Sequence, residues 1–264
     1  MSRIMRYAIA STLLLCLAAT LAGVTPAVAQ SPSPDQQIAA AQKAVQDAEP
    51  SGPASAQLGA SLTQLGLAYT AQRKFAEAEP VLLRAASVKE RVYGAAHPDF
   101  ARALLDVGAV YRMTNEHAKA EVPIRRAVAI LEKALGPEHL EVAGNLTNLG
   151  GRLRDQGKYA EAEPILRRAL AIREKTLRPN DPDVVRSRLG LANLYADQQR
   201  YAEAEPIFQR CVTVLEEIKA YGTGYPNLPD TLRAYAAVLR KAGRAAEATQ
   251  LETRANRLRP ATGQ

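Results

Sequence analysis

The sequence has no tryptophan, three histidines, two cysteines and 5% aromatic residues in 264. Few runs of Val or Ile alternate with polar residues, so there is little from which to build a sheet. His97, His117 and His139 show neither HExxH spacing nor a cysteine partner, and they read as capping and turn residues instead of metal ligands or catalytic bases. Cys16 falls in an N-terminal apolar stretch, which leaves Cys211 alone in the remainder of the chain and excludes an intramolecular disulfide there. There is no GxSxG, no phosphate-cradling glycine loop and no paired-cysteine motif. No catalytic residue, metal or cofactor is nominated, and the chain is not read as an enzyme.

A large excess of either charge is also absent, with 34 Lys and Arg against 27 Asp and Glu. The formal surplus is +7, and removing Arg3 and Arg6 with a leader would lower it by two. That mild excess is not the footprint of a nucleic-acid binder.

The one long apolar run lies at the start. Arg3 and Arg6 form a basic beginning, Leu13 to Leu21 is apolar, and Ala27-Val28-Ala29 is a small-x-small cleavage pattern. Residues 1–29 are therefore expected to be a signal peptide, with the mature protein beginning near Gln30 and exported to the periplasm or the exterior. The alternative is an uncleaved N-terminal membrane anchor, since Tyr7 to Ala29 is long enough to span a bilayer. Residues 30–55 are expected to hold a Ser/Pro linker and a capping helix, with Asp35 or a neighbour at its N-terminus and an end before Pro50.

From there one phrase recurs. Phe75-Ala76-Glu77-Ala78-Glu79-Pro80 returns as His117 to Val122, Tyr159 to Pro164 and Tyr201 to Pro206, each 42 residues after the last, with a weaker copy at Ala245 to Ala248. Such a period predicts stacked units that cannot bury their apolar faces alone. Leu62, Leu65, Gly66 and Tyr69 form an amphipathic stripe at i, i+3, i+4 and i+7, repeated at Leu104, Val107, Gly108 and Tyr111 and at Leu146, Leu149, Gly150 and Leu153. In the fourth copy Arg188 takes a leucine slot and is expected to snorkel, with Leu189 supplying the apolar contact. The second helix carries small residues at Ala78 and Ala85, Ala120 and Ala127, Ala162 and Ala169, Ala204 and Cys211, and Ala248 and Ala255. Pro80, Pro123, Pro164 and Pro206 either interrupt this helix or mark a later start for it. The long join at Tyr221 to Pro229 is the expected site of irregularity.

Leu146-x-x-Leu149-Gly150-x-x-Leu153, Gly157-Lys158-Tyr159-x-Glu161-Ala162-Glu163-Pro164 and Arg168-Ala169-Leu170 resemble the tetratricopeptide repeat of the 42-residue kinesin light chain type. The resemblance implies an all-α, right-handed superhelical solenoid of helical hairpins. Five repeats are expected over about 56–97, 98–139, 140–181, 182–225 and 226–262. It also implies a binding groove lined by the first helices, where the candidates are Arg102, Arg112, Asn148, Arg154, Arg186, Asn193, Arg233 and Arg240. Recurrent arginine points to an acidic or carboxylate-bearing peptide, although Asp106, Asp155 and Asp197 offset part of that charge. The set of Lys and Asn residues with which some family members clamp a terminal carboxylate is not reproduced.

The expected function is a non-catalytic scaffold holding a peptide or protein segment in its groove. The alternatives are a self-assembling structural protein of the cell envelope, stacking through its terminal repeats as a homo-oligomer, and an accessory subunit of an enzyme.

Overall fold

The computed structural model describes residues 32–220 and 226–258. The expected leader and residues 221–225 of the long join lie outside them. Two compact units divide the chain, 1–40 and 41–264.

The described part of the first unit is the start of helix α1 (Pro34–Ala48). Of Asp35 and its neighbours, Ser33 is the cap. The Ser33 hydroxyl accepts from the Gln36 amide, and the Gln36 side chain accepts from the Ser33 amide at 2.8 Å, a reciprocal capping box.

Within the second unit the end of α1 is tied to the first hairpin. Gln42 Nε2 donates to the Tyr69 hydroxyl at 2.9 Å, and Glu49, in a single 3₁₀ turn, pairs with Arg84 at 2.7 Å. Five hairpins follow: α2 (Ala56–Ala71) with α3 (Phe75–Tyr93), α4 (Pro98–Met113) with α5 (His117–Leu135), α6 (Leu140–Asp155) with α7 (Tyr159–Thr176), α8 (Pro182–Asp197) with α9 (Tyr201–Glu217), and α10 (Leu228–Lys241) with α11 (Ala245–Arg257). Each second helix also packs on the next first helix, so the hairpins form an all-α solenoid. No strand occurs among the described residues.

Local chemistry marks every first helix at both ends. Ser55, His97, His139, Asp181 and Asn227 are the N-caps, each side chain accepting from a backbone amide two or three residues on. His97 and His139 do this through Nδ1, which must be unprotonated there. At the C-terminus, Arg73, Asn115, Gly157, Gln199 and Gly243 all adopt positive φ. The residue after each donates back to the first helix, as in Lys74 to Tyr69 and Lys158 to Leu153. This is a Schellman motif in all five hairpins, of which the glycines revealed two.

The helices touch through small residues. The ten Ala and Cys positions of the second helices are fully buried. At the closest approach, a Cβ added to Gly150 would lie 2.5 Å from Leu166 Cγ, and one added to Gly108 would lie 2.8 Å from Ile124 Cγ1. In the fourth hairpin Ala192 replaces this glycine and Phe208 stands where Leu166 does, with its flat ring stacked on Tyr235. Arg188 is tucked in and not free: its guanidinium donates to Glu174 and to the Pro179 carbonyl, while Leu189 is buried. The repeated prolines are interior, because α3, α5, α7 and α9 each begin five or six residues before them. The later-start alternative is therefore ruled out, and each proline deprives one first-turn carbonyl of an intrahelical donor.

Ionic staples join successive hairpins. In three of the four repeats with a proline, the Glu before it accepts from a basic residue one repeat on: Glu121 from Lys158 at 2.8 Å, Glu163 from Arg200 at 2.7 Å, and Glu205 from Arg244 at 2.7 Å. A tyrosine of the next first helix also reaches Glu79, Glu163 and Glu205, from Tyr111, Tyr195 and Tyr235. Arg200 and Arg244 meanwhile grip Glu203 and Glu247 of their own hairpin, so each bridges two repeats.

Gly150→Ala should destabilise the fold by about 1–3 kcal/mol through overpacking against Leu166, read as a lowered urea midpoint. Glu163→Gln should cost about 1 kcal/mol at neutral pH. The hydrogen bond from Arg200 holds the Glu163 carboxyl below its ordinary 4.5. Its stabilisation is therefore complete above that pH and lost as the pH falls through the depressed value. The gap in urea midpoint between wild type and Glu163→Gln should close on acidification.

Candidate functional site

The eight groove candidates all lie on first helices, and most are already engaged. Arg102 of α4 pairs in bidentate fashion with Glu141 of α6, at 2.8 and 2.9 Å, and also holds Asp99. Those hydrogen bonds, led by Glu141, raise the Arg102 pKa further. Arg154 donates to Asp155 and lies 3.3 Å from Asp197 of the next first helix. Arg186 and Arg233 pair with Asp183 and Asp230 one turn earlier. Arg240 turns to Glu252 on its own second helix. Asn193 is half-buried on α8.

Arg112 differs. It is exposed and has no carboxylate partner among the described residues. Together with Asn148 it lines a pocket of about 90 Å³ between α4 and α6, whose other walls include Asn145, Arg152, Leu105 and Ile124. Asn145 is buried and donates to the Glu141 carbonyl. Arg152 is half-buried and lies 3.1 Å from Asp155. Burial opposes its charge, Asp155 supports it, and Arg112 and Arg154 oppose it again. Repulsion from two other cations favours an anion beside Arg152, and the two asparagines add neutral hydrogen-bonding groups.

Arg152 and Asn145 are not among the eight candidates. Their signal was available, because Asn145, Asn148 and Arg152 stand at i, i+3 and i+7 on one helical face. What the pattern lacks is depth: it does not tell that Asn145 is buried while Asn148 is exposed.

A model of the tetratricopeptide repeat family matches residues 57–133, 124–175, 141–217 and 183–261. The chain belongs to the tetratricopeptide repeat family. No curated protein matches it. Among solved structures it is similar to BtubC (BKLC) of P. vanneervenii, at 20% identity and a TM-score of 0.72 over 86% of this chain and 91% of that one. A Podosopora anserina protein with nearly identical TPR-like repeats of the kinesin light chain kind gives 22% and 0.65 over 75% and 92%. A tetratricopeptide repeat protein from Parabacteroides merdae gives 23% and 0.63 over 85% and 75%. At these identities the likeness establishes the fold, which is that of kinesin-light-chain-type repeats.

The remaining chemistry of the tetratricopeptide array is structural. Cys211 is fully buried, and burial pushes its thiol up to about 12, which leaves it protonated and inert. Among the described residues no group of His, Cys, Asp or Glu is placed to hold a metal ion, and no helix is long and apolar enough to cross a membrane.

Proposed function

We propose that this tetratricopeptide protein is an exported scaffold that holds an acidic peptide segment along its first helices, anchored at the pocket of Arg112, Asn148 and Arg152. One observation carries the reading: Arg112 is the candidate arginine that has no internal carboxylate and faces a second, under-compensated arginine across a pocket. Desolvated, charge-assisted contacts of this kind concentrate binding energy in a few residues. Tetratricopeptide arrays serve as protein-interaction scaffolds, which fits the absence of a catalytic constellation in the sequence. Export rests on the basic start, apolar run and Ala27-Val28-Ala29 of the leader.

Arg112→Glu should lower affinity for a Glu-rich peptide by at least about tenfold in fluorescence anisotropy, with helical circular dichroism unchanged because Arg112 holds no internal ion pair. Equal affinity for that peptide and its Gln-substituted counterpart would refute the acidic-groove reading. N-terminal sequencing of the protein from its native envelope should begin at Gln30, and an intact Met1 end retained in membrane would establish the anchor instead.

A further inference from the structure

Arg173 belongs to a second helix, α7, yet its guanidinium reaches the seam between the first helices α6 and α8. Only 4% of the residue is exposed. Nη1 donates to Ser187 Oγ at 2.6 Å, to the Asp183 carbonyl at 3.0 Å and to Thr147 Oγ1 at 3.2 Å, all neutral acceptors. Nε is buried with no hydrogen-bond partner. The carboxylate of Asp183 stands 4.0 Å from Nη2 but is held by Arg186 at 2.9 Å. Burial opposes the charge most, Asp183 favours it, Arg186 opposes it and Asp181 favours it. Burying a guanidinium with so little compensation is costly unless something completes it.

The repeat itself shows what is missing. Position 173 corresponds, at steps of 42, to Lys89, Leu131 and Leu215. Where the cation is Lys89, the next first helix carries Asp106, a half-buried acid that feels the Lys89 charge. Two repeats on, the residue equivalent to Asp106 is Gly190. A side chain there has room, since an added Cβ would meet only Leu166 at 3.5 Å and Thr147 at 3.9 Å, ordinary contacts. On the other side Gly144 packs against the cation, where a Cβ would lie 3.5 Å from Arg173 Nη2. The buried cation thus lies at the seam where Gly144 of α6 and Gly190 of α8, both half-buried, present no side chain.

We infer that Arg173, with Thr147 and Ser187, forms a second anchor in the groove, which takes a carboxylate from the bound peptide into the place that Asp106 fills two repeats earlier. The anchor deepens the scaffold reading and rests on it for the source of the carboxylate, either a Glu or Asp side chain or a free C-terminus. It is distinct from the Arg112 pocket, which opens between α4 and α6, although both draw on residues of α6.

The test follows the Arg173 Nε–H resonance in arginine-labelled full-length protein. Three variants are compared: wild type, Arg173→Leu, and Gly190→Asp. The leucine is tolerated at equivalent positions by Leu131 and Leu215, both fully buried, and Gly190→Asp supplies the carboxylate internally. Probes are succinate, a Glu-containing peptide with an amidated end, a Gln-containing peptide with a free end, and a Gln-containing amidated control. Succinate should shift the Arg173 resonance saturably in wild type and not in Gly190→Asp. One carboxylate peptide, whichever source is correct, should lose about tenfold or more in affinity in both variants while the control is unchanged. If succinate and both carboxylate peptides leave the resonance unmoved, the anchor is overturned, and peptide binding that persists with that resonance silent leaves the scaffold reading standing without it. A succinate response with no peptide bound keeps the anion site and overturns its role in a peptide groove.

Discussion

The distance between the two helices of a hairpin governs the rest of the molecule. Gly66, Gly108 and Gly150 let Leu82, Ile124 and Leu166 lie directly against a backbone, with no space for a methyl group between them. That approach buries the alanines of the second helix completely and brings the phrase-bearing helix starts within side-chain reach of the following repeat. A looser hairpin would move Glu163 away from Arg200 and break the register by which one unit finds the next. Packing therefore sets the geometry, and the ionic staples act within it.

Regular features were legible because they repeat. Stripe, small-residue slots and helix starts return at 42 residues through four copies, with the fifth slightly offset, and several weak signals in phase outweigh one strong one. Conformations that several residue types can adopt were less legible. Arg73, Asn115 and Gln199 take the same left-handed turn as Gly157 and Gly243, but nothing in a lone Arg or Gln announces it. The role of the second Glu in each phrase was also hidden, because its partners are 37 to 39 residues away and on another helix. A reading confined to one helical face sees two acids that do not meet; the fold shows that each meets the next repeat.

The site was legible by address and not by state. Sequence placed Arg102, Arg154, Arg186, Arg233 and Arg240 on the right helices, but it could not show that each finds a carboxylate within the chain. Electrostatic selectivity in such an array works by subtraction. A surface crowded with arginine presents little net attraction once its acids have been assigned, and recognition falls to the cations left over.

Those leftovers occur where the repeat departs from itself. Lys89 has Asp106 across the seam, and Leu131 and Leu215 need no counter-charge. Arg173 keeps the cation while Gly190 drops the acid. In a solenoid, every unit must satisfy the same packing rule, so an under-compensated charge cannot be relieved by rearranging the fold around it. It must be satisfied by water, by a neighbour or by a ligand. At Arg173 the neighbours supply hydroxyls and a carbonyl to one nitrogen and leave Nε unpartnered. Stability thus resides in what the five repeats share, and the proposed anchor falls in the third, where the sequence of the repeat breaks and its geometry does not.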